Sequence, residues 1–133
     1  MQPGHIALNV SDLERAIRFY SGVFGYERLG GGDGHAFLGK DGRALITLWT
    51  AGDDPLHHVA FEVPTIEEAA AAEARVIELG GRMHHDGVVP HREGASSGGI
   101  FFTDPDGIRL EIYAPDGAGG DAPHGEAPTC GFF

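Results

Sequence analysis

Cysteine is nearly absent from this chain of 133 residues, in which Cys130 stands alone. One cysteine cannot form a disulfide within the chain, so the fold suits a reducing compartment. Basic residues are also few, with 9 Lys and Arg against 20 Asp and Glu and a formal net charge of −11. Nucleic acids and anionic membrane surfaces require a basic footprint, so we expect neither as a partner.

Long apolar runs are missing as well. No run approaches the roughly 20 residues that a membrane-spanning helix needs, and no signal-peptide pattern precedes His5. We therefore expect a soluble, cytoplasmic protein. With 41% apolar residues, a chain of this length can build one domain around one core.

Two short segments of the chain match each other position by position. Residues 5–10 read His-Ile-Ala-Leu-Asn-Val, and residues 58–63 read His-Val-Ala-Phe-Glu-Val. Each segment alternates polar or small residues with larger apolar ones, which is the period of a half-buried strand. This alternation places His5 and His58 at the start of the less apolar faces of two equivalent strands.

The segments that follow these strands repeat too. Capping boxes begin at Ser11 and at Thr65, and they predict helices over 11–24 and 65–79 that end at glycines. Further strands are predicted over 26–29, 35–38, 43–49, 82–83, 99–103 and 108–113, with a possible strand within 87–90. The β-α-β-β-β order thus occurs twice, which predicts an α+β fold built from two βαβββ modules.

The duplication sets the expected domain boundaries. Module 1 covers residues 4–52 and module 2 covers residues 56–115, and the two make one domain over 4–115. Residues 116–133 form a Gly/Pro-rich tail whose composition predicts mobility. Phe132 and Phe133 are candidates to anchor this tail on a neighbouring subunit or over the functional site.

The last predicted strand contributes a carboxylate. Apolar residues occupy alternate positions from Ile108 to Ile112, so Glu111 points the other way, toward the face of His5 and His58 if the two halves curl together. The same interval of 53 residues separates His5 from His58 and His58 from Glu111. Two imidazoles and one carboxylate on one side of a cation leave positions open for substrate. The alternative is that the histidines merely begin strands and Glu111 faces solvent.

These motifs resemble those of the vicinal oxygen chelate superfamily, which includes glyoxalases, extradiol dioxygenases, fosfomycin-resistance enzymes, methylmalonyl-CoA epimerases and bleomycin-binding proteins. The resemblance runs from about Gly4 to Pro115. It rests on His-Ile-Ala-Leu at 5–8, His-His-Val-Ala-Phe-Glu-Val at 57–63 and Asp-Pro-Asp-Gly-Ile-Arg-Leu-Glu-Ile-Tyr at 104–113. It implies a cup-shaped mixed sheet around a metal site, commonly within a homodimer.

The resemblance also implies the metal ligands. It makes His5, His58 and Glu111 the ligands of a divalent metal ion. Iron(II) and manganese(II) are the first candidates for that ion, and zinc and nickel are the alternatives.

Departures from individual branches narrow the expected reaction. Glyoxalase I-like members and methylmalonyl-CoA epimerases use a glutamate on the strand where strand alternation puts Thr47. Fosfomycin-resistance enzymes carry a threonine where this chain has Ala7, and an arginine where it has Pro-Asp-Gly at 115–117. Bleomycin-binding proteins lack the ligands that this chain keeps.

Extradiol dioxygenases keep the same three ligands. Their proton-handling histidine lies in the loop before the last hairpin, at or next to the position of His91, so the resemblance makes His91 the candidate catalytic residue. A solvated loop histidine is the alternative. Most extradiol dioxygenases are much longer than this chain, and they carry a tyrosine where it has Phe101.

Strand alternation also indicates which side chains surround the metal. The candidates for substrate binding are Thr47, Trp49, Phe101, Arg109 and Tyr113. This mixture suits a small aromatic or oxygenated substrate, although Trp49 and Tyr113 fit ordinary core or interface positions equally well. We expect a metal-dependent, dioxygenase-like enzyme, with a glyoxalase- or isomerase-type lyase and a non-catalytic antibiotic-sequestering protein as alternatives.

Overall fold

The computed structural model describes residues 1–132, which contain nine strands and two α-helices. In chain order these are β1 (Gln2–Asn9), α1 (Leu13–Phe24), β2 (Glu27–Gly32), β3 (His35–Lys40), β4 (Arg43–Trp49), β5 (Leu56–Glu62), α2 (Ile66–Glu78), β6 (Arg82–Met83), β7 (Val89–Pro90), β8 (Gly98–Thr103) and β9 (Arg109–Ala114). The predicted β-α-β-β-β order therefore occurs twice, with the two-residue β7 added to the second copy. Neither helix has the length and hydropathy to cross a membrane within the part of the chain described.

The chain divides into two compact units. The N-terminal unit is Gly4–Val59, and the C-terminal unit combines Met1–Pro3 with the chain from Ala60 onward. Strands β1 and β5 contribute residues to both units, because each boundary falls inside one of them.

The N-terminal unit is a mixed sheet with one helix. Its strand order is β2-β3-β4-β1-β5, in which β1 and β4 pair in parallel while β2–β3 and β3–β4 are antiparallel. Helix α1 packs on one face through Ala16, which contacts buried Leu38 and Leu48. Leu8 and Val10 join this core as the alternation predicts, whereas Ile6 is 49% exposed.

Both helices begin at side-chain caps. Helix α1 is capped by Asp12 and not by the predicted Ser11, because the Asp12 carboxylate accepts a hydrogen bond from the backbone N–H of Arg15 at 3.0 Å. A carboxylate is also favoured by the positive end of the helix dipole. Gly25 ends α1 in the left-handed conformation, with φ of 72°. Helix α2 has the predicted cap, since the Thr65 hydroxyl accepts from the N–H of Glu68 at 3.3 Å.

The C-terminal unit contains the strand order β5-β9-β8-β6, and β7 also pairs with β8. The β8–β9 hairpin turns at Asp104, whose carboxylate accepts from the N–H groups of Asp106 and Ile108, both at 2.9 Å. Helix α2 packs over Ile100 and Ile112. Leu110 joins the same core, as the predicted alternation along the last strand requires, whereas Ile108 is 44% exposed.

The segment after β9 is held by backbone hydrogen bonds to the loop between β7 and β8. The N–H of Gly94 donates to the carbonyl of Gly120 at 2.9 Å, and the N–H of Ala118 donates to the carbonyl of Ser96 at 2.8 Å. Composition predicts a mobile tail here, and the structure differs because the loop supplies partners for the tail's backbone groups. The predicted anchoring by Phe132 and Phe133 lies outside the described residues and side chains.

We predict opposite effects on stability for two glycine substitutions. A Cβ at Gly39 would lie 1.8 Å from the carbonyl oxygen of Arg43, at a register shift between β3 and β4. Gly39→Ala should therefore lower the free energy of unfolding by about 3 kcal/mol, at the upper end of overpacking costs. Gly22 lies in α1 with nothing within 4 Å of such a Cβ, so Gly22→Ala should raise it by about 1 kcal/mol. Urea unfolding of both variants measures the two changes, and equal effects would contradict the account of Gly39.

Candidate functional site

His5 and His58 face each other across the neighbouring strands β1 and β5 of the N-terminal unit. Their Nε2 atoms are 3.1 Å apart and their ring planes are nearly perpendicular, at 81°. His58 is fully buried and His5 is partly buried. A neutral imidazole carries one N–H, so a hydrogen bond between these two atoms needs one donor and one lone pair.

The separation of these two nitrogens also suits a shared cation. Imidazole nitrogens bind zinc at about 2.0–2.1 Å, so two of them at a right angle around one ion lie about 3 Å apart. The observed separation of 3.1 Å agrees with this arrangement. The pair can therefore supply two ligands to one divalent cation when both Nε2 atoms present lone pairs.

His57 contacts His58 from the other side of the His58 ring. The two Nδ1 atoms are 2.7 Å apart, and His57 is only 4% exposed. The sequence gives a weak signal for this contact, because alternation along a strand sends adjacent side chains to opposite faces. The His-His doublet itself is the only feature that could have suggested it.

Trp49 and Thr47, which are on β4, lie next to the pair formed by His57 and His58. The indole N–H of Trp49 donates to the Thr47 hydroxyl at 3.1 Å, and both residues are buried. The Trp49 ring stacks on His35 with 5.1 Å between centroids and lies 5.5 Å from the ring of His57. Thr47 and Trp49 are two of the residues predicted to surround the metal, and His57 connects them to His58.

In the C-terminal unit, the carboxylate of Glu111 contacts the imidazole of His91. Glu111 is fully buried on β9, and its Oε2 contacts Nε2 of His91. Nδ1 of His91 lies 2.9 Å from the hydroxyl of Ser97. If Nε2–H donates to the carboxylate, Nδ1 accepts from Ser97. His91 then satisfies one side of a carboxylate that would be unfavourable to bury alone.

Aromatic rings flank His91. Phe101 pairs with Glu111 in the β8–β9 register, and its ring centroid is 6.1 Å from that of His91. The ring of Tyr113 lies 5.6 Å from His91. Arg109 pairs with Thr103 at the turn end of the hairpin, whereas Tyr113 pairs with Gly99 at the opposite end. The structure thus brings Phe101 and Tyr113 to His91 and places Arg109 nearer the turn.

The tail covers the residues around His91. Thr129 is buried, its N–H donates to the carbonyl of His91, and its hydroxyl donates to the carbonyl of Pro90, both at 2.7 Å. Burial, and then the nearby negative charge of Glu111, raise the pKa of the Cys130 thiol far above its usual range. Cys130 is therefore a neutral thiol near pH 7 and is not poised as a nucleophile or thiolate ligand.

A further group of histidines lies in the C-terminal unit. The rings of His84 and His85 are 4.6 Å apart, and His85 lies 6.0 Å from the ring of Phe101. The pKa of His85 is lowered by burial and, to a smaller extent, by electrostatic repulsion from His84 and His124. His85 is consequently neutral at pH 7, and the sequence assigns it no role.

A family model and two characterised proteins match most of this chain. The model of the Glyoxalase/Bleomycin resistance protein/Dioxygenase superfamily matches residues 2–112. The catechol-2,3-dioxygenase of Bacillus subtilis (strain 168) is 30% identical over 121 residues, which cover 84% of this chain and 40% of that protein. The metallothiol transferase FosB of Lysinibacillus sphaericus (strain C3-41) is 31% identical over 120 residues, which cover 82% of this chain and 79% of that protein.

Solved structures confirm the expected fold. The Mn(II)-bound glyoxalase from Novosphingobium aromaticivorans superimposes with a TM-score of 0.71 at 22% identity, over 91% of this chain and 40% of that chain. This chain therefore spans less than half the length of that glyoxalase and of the Bacillus dioxygenase. At this level of identity the likeness defines the glyoxalase/dioxygenase-like α+β fold.

We predict that Cys130 is unreactive in the folded protein. A thiol reagent such as Ellman's reagent should modify it only after unfolding, because the thiolate is the reacting form and the pKa of this thiol is raised. Rapid modification of the native protein would contradict the burial.

The same shift determines how stability depends on pH. The unfolded thiol ionises above about pH 8.5 while the folded thiol does not, so the free energy of unfolding should fall as pH rises past that value. Cys130→Ala removes this contribution and serves as the control.

Proposed function

Because the chain belongs to the Glyoxalase/Bleomycin resistance protein/Dioxygenase superfamily, we propose that it is a metal-dependent enzyme with dioxygenase chemistry on a small oxygenated or aromatic substrate. We propose His5, His58 and Glu111 as the ligands of one divalent cation. These side chains offer two imidazole nitrogens and one carboxylate oxygen, a group able to hold a metal ion. The observation that carries the proposal is the 3.1 Å separation of the two Nε2 atoms, which suits a shared cation.

The donor set favours iron(II) or manganese(II), with zinc and nickel as alternatives. Two imidazoles with one carboxylate are the ligands of non-haem iron sites, and a protonated Cys130 removes the soft thiolate that would favour other metals. When bound, such a cation supplies Lewis acidity toward adjacent oxygens of a substrate and the redox chemistry of O2. The relative named catechol-2,3-dioxygenase supports a substrate with two adjacent oxygens.

His91 is the proposed catalytic residue. Its Nε2 faces the carboxylate of Glu111, so a proton from the substrate would be taken up at Nδ1, the atom that faces the Ser97 hydroxyl at 2.9 Å. The imidazolium formed in this way is stabilised by the buried negative charge of Glu111. General acid–base groups of this kind typically contribute about 10²–10⁴-fold to rate.

The proposed substrate-binding residues keep the composition expected of a small-molecule site. They are Thr47, Trp49, Phe101, Arg109 and Tyr113. Phe101 and Tyr113 flank His91, which supports their contact with a substrate whose proton His91 accepts. A homodimer and a cytoplasmic location stay predictions of the sequence.

A second candidate function is thiol transfer. The metallothiol transferase FosB is matched over 79% of its length, whereas the dioxygenase is matched over 40% of its own. Ala7 and the Pro-Asp-Gly at 115–117 depart from the fosfomycin-resistance pattern, so dioxygenase chemistry remains the first proposal. The glyoxalase-type lyase is third, since Thr47 stands where that branch needs a glutamate.

Anaerobic loading of the full chain with iron(II), followed by oxygen uptake with a panel of catechols, tests the proposal. We expect one metal ion per chain and one O2 consumed per catechol, because a dioxygenase places both oxygen atoms in its product and needs no external reductant. Glu111→Gln keeps the shape of the side chain but removes its charge. It should weaken metal binding by more than the roughly 10–100-fold typical of outer-shell changes and abolish uptake.

Glu78→Gln is the matched control for metal content. It makes the same change on an exposed residue of α2, so this variant should bind metal nearly as the parent does. Metal binding without oxygen uptake, together with consumption of an added thiol and an added electrophilic acceptor in equal amounts, would favour the second candidate. If the parent protein binds no metal at a pH where imidazole is neutral, this result would contradict the proposal of a metal-dependent enzyme and favour a non-catalytic sequestering protein.

A further inference from the structure

Both ring nitrogens of His58 have another histidine as a partner. Nε2 of His58 lies 3.1 Å from Nε2 of His5, and Nδ1 of His58 lies 2.7 Å from Nδ1 of His57. His57 and His58 are 4% and 0% exposed. The three rings form a connected series in the order His57, His58, His5.

The ring nitrogen of His58 that carries the proton decides whether His58 can bind a cation. Each short nitrogen–nitrogen contact holds one proton between its two atoms, and a neutral ring carries only one proton. If the proton of His58 is on Nε2, that nitrogen donates to His5 and is unavailable as a ligand. If the proton is on Nδ1, it is donated to His57 and the lone pair of Nε2 points toward His5.

We propose that His57 is a positioning residue that accepts the Nδ1–H of His58 and thereby keeps Nε2 of His58 as a lone pair. Metal-binding histidines commonly donate their second ring N–H to an outer partner that fixes the tautomer and the ring orientation. That partner is usually a carboxylate, a carbonyl or water, and here it is a second imidazole. This inference rests on the proposed metal site and adds a residue to it.

The surroundings of His57 fix the orientation of its ring. Trp49 lies 5.5 Å from that ring at an interplanar angle of 31°, and its own indole N–H is held by Thr47. Stacking of His35 on Trp49 immobilises the indole from a further direction. Thr47 and Trp49 thus support His58 through His57, which gives them a structural role in addition to the proposed contact with substrate.

The tautomer can be read directly in the metal-free full chain. Nitrogen-15 NMR of histidine-labelled protein, at a pH where imidazole is neutral, distinguishes protonated from unprotonated ring nitrogens. We expect His58 to be protonated at Nδ1 and unprotonated at Nε2. A His58 that is protonated at Nε2 would overturn the inference, and this measurement needs no variant and no metal.

Two substitutions test the role of His57 as an acceptor. His57→Phe keeps a ring beside Trp49 but removes the acceptor, whereas His57→Asn loses the ring but can place its amide oxygen near the position of Nδ1. We expect manganese(II) and zinc(II) affinity to fall by about 10–100-fold in His57→Phe and to be largely restored in His57→Asn. If His57→Phe binds metal as tightly as the parent, or if both variants lose the same affinity, His57 is not the acceptor that supports His58.

The outcomes also separate this inference from the function on which it rests. If the parent binds no metal, the proposed function fails, while the tautomer of His58 in the same protein still decides whether His57 is its acceptor. If metal binds but His58 is protonated at Nε2 in the metal-free chain, the function stands and the inference fails. If either variant fails to fold, the NMR result on the parent remains decisive.

Discussion

An imidazole nitrogen presents either a proton or a lone pair, and this constraint governs the N-terminal unit. His5 and His58 can bind a cation only when both Nε2 atoms are unprotonated, and their separation of 3.1 Å places these atoms where one ion can contact both. The 2.7 Å contact with His57 gives the remaining proton of His58 a place on Nδ1. Trp49 in turn holds His57. Trp49 on β4 therefore supports metal binding by His58 on β5, although β1 lies between these two strands in the sheet.

A buried carboxylate imposes a similar constraint on the C-terminal unit. Glu111 is fully buried, and its negative charge requires a compensating partner. His91 supplies that partner through Nε2, and the loop that carries His91 is fastened by the tail, through the two hydrogen bonds of Thr129 to the carbonyls of Pro90 and His91. The same tail buries Cys130 and keeps its thiol neutral, so the structure stabilises the carboxylate without adding a second anion.

Strand alternation was enough to predict much of this molecule, because strands with one buried face repeat every two residues. It paired His5 with His58 on equivalent strands, and it put Glu111 opposite the core that contains Leu110 and Ile112. Alternation could not predict the contact between the adjacent residues His57 and His58, which the pleat would send to opposite faces. Nor could composition predict the order of the tail, since its backbone hydrogen bonds depend on a loop that is distant in sequence.

The central claim is that two imidazoles, those of His5 and His58, bind one divalent cation. X-ray absorption spectroscopy of the manganese(II)-loaded or iron(II)-loaded protein reports this directly, because imidazole rings produce a characteristic multiple-scattering pattern at the metal edge. We predict two imidazole ligands, with oxygen donors in the remaining positions. Substitution of alanine for His5 or for His58 should reduce the imidazole count to one. A spectrum that fits oxygen donors alone would contradict the account.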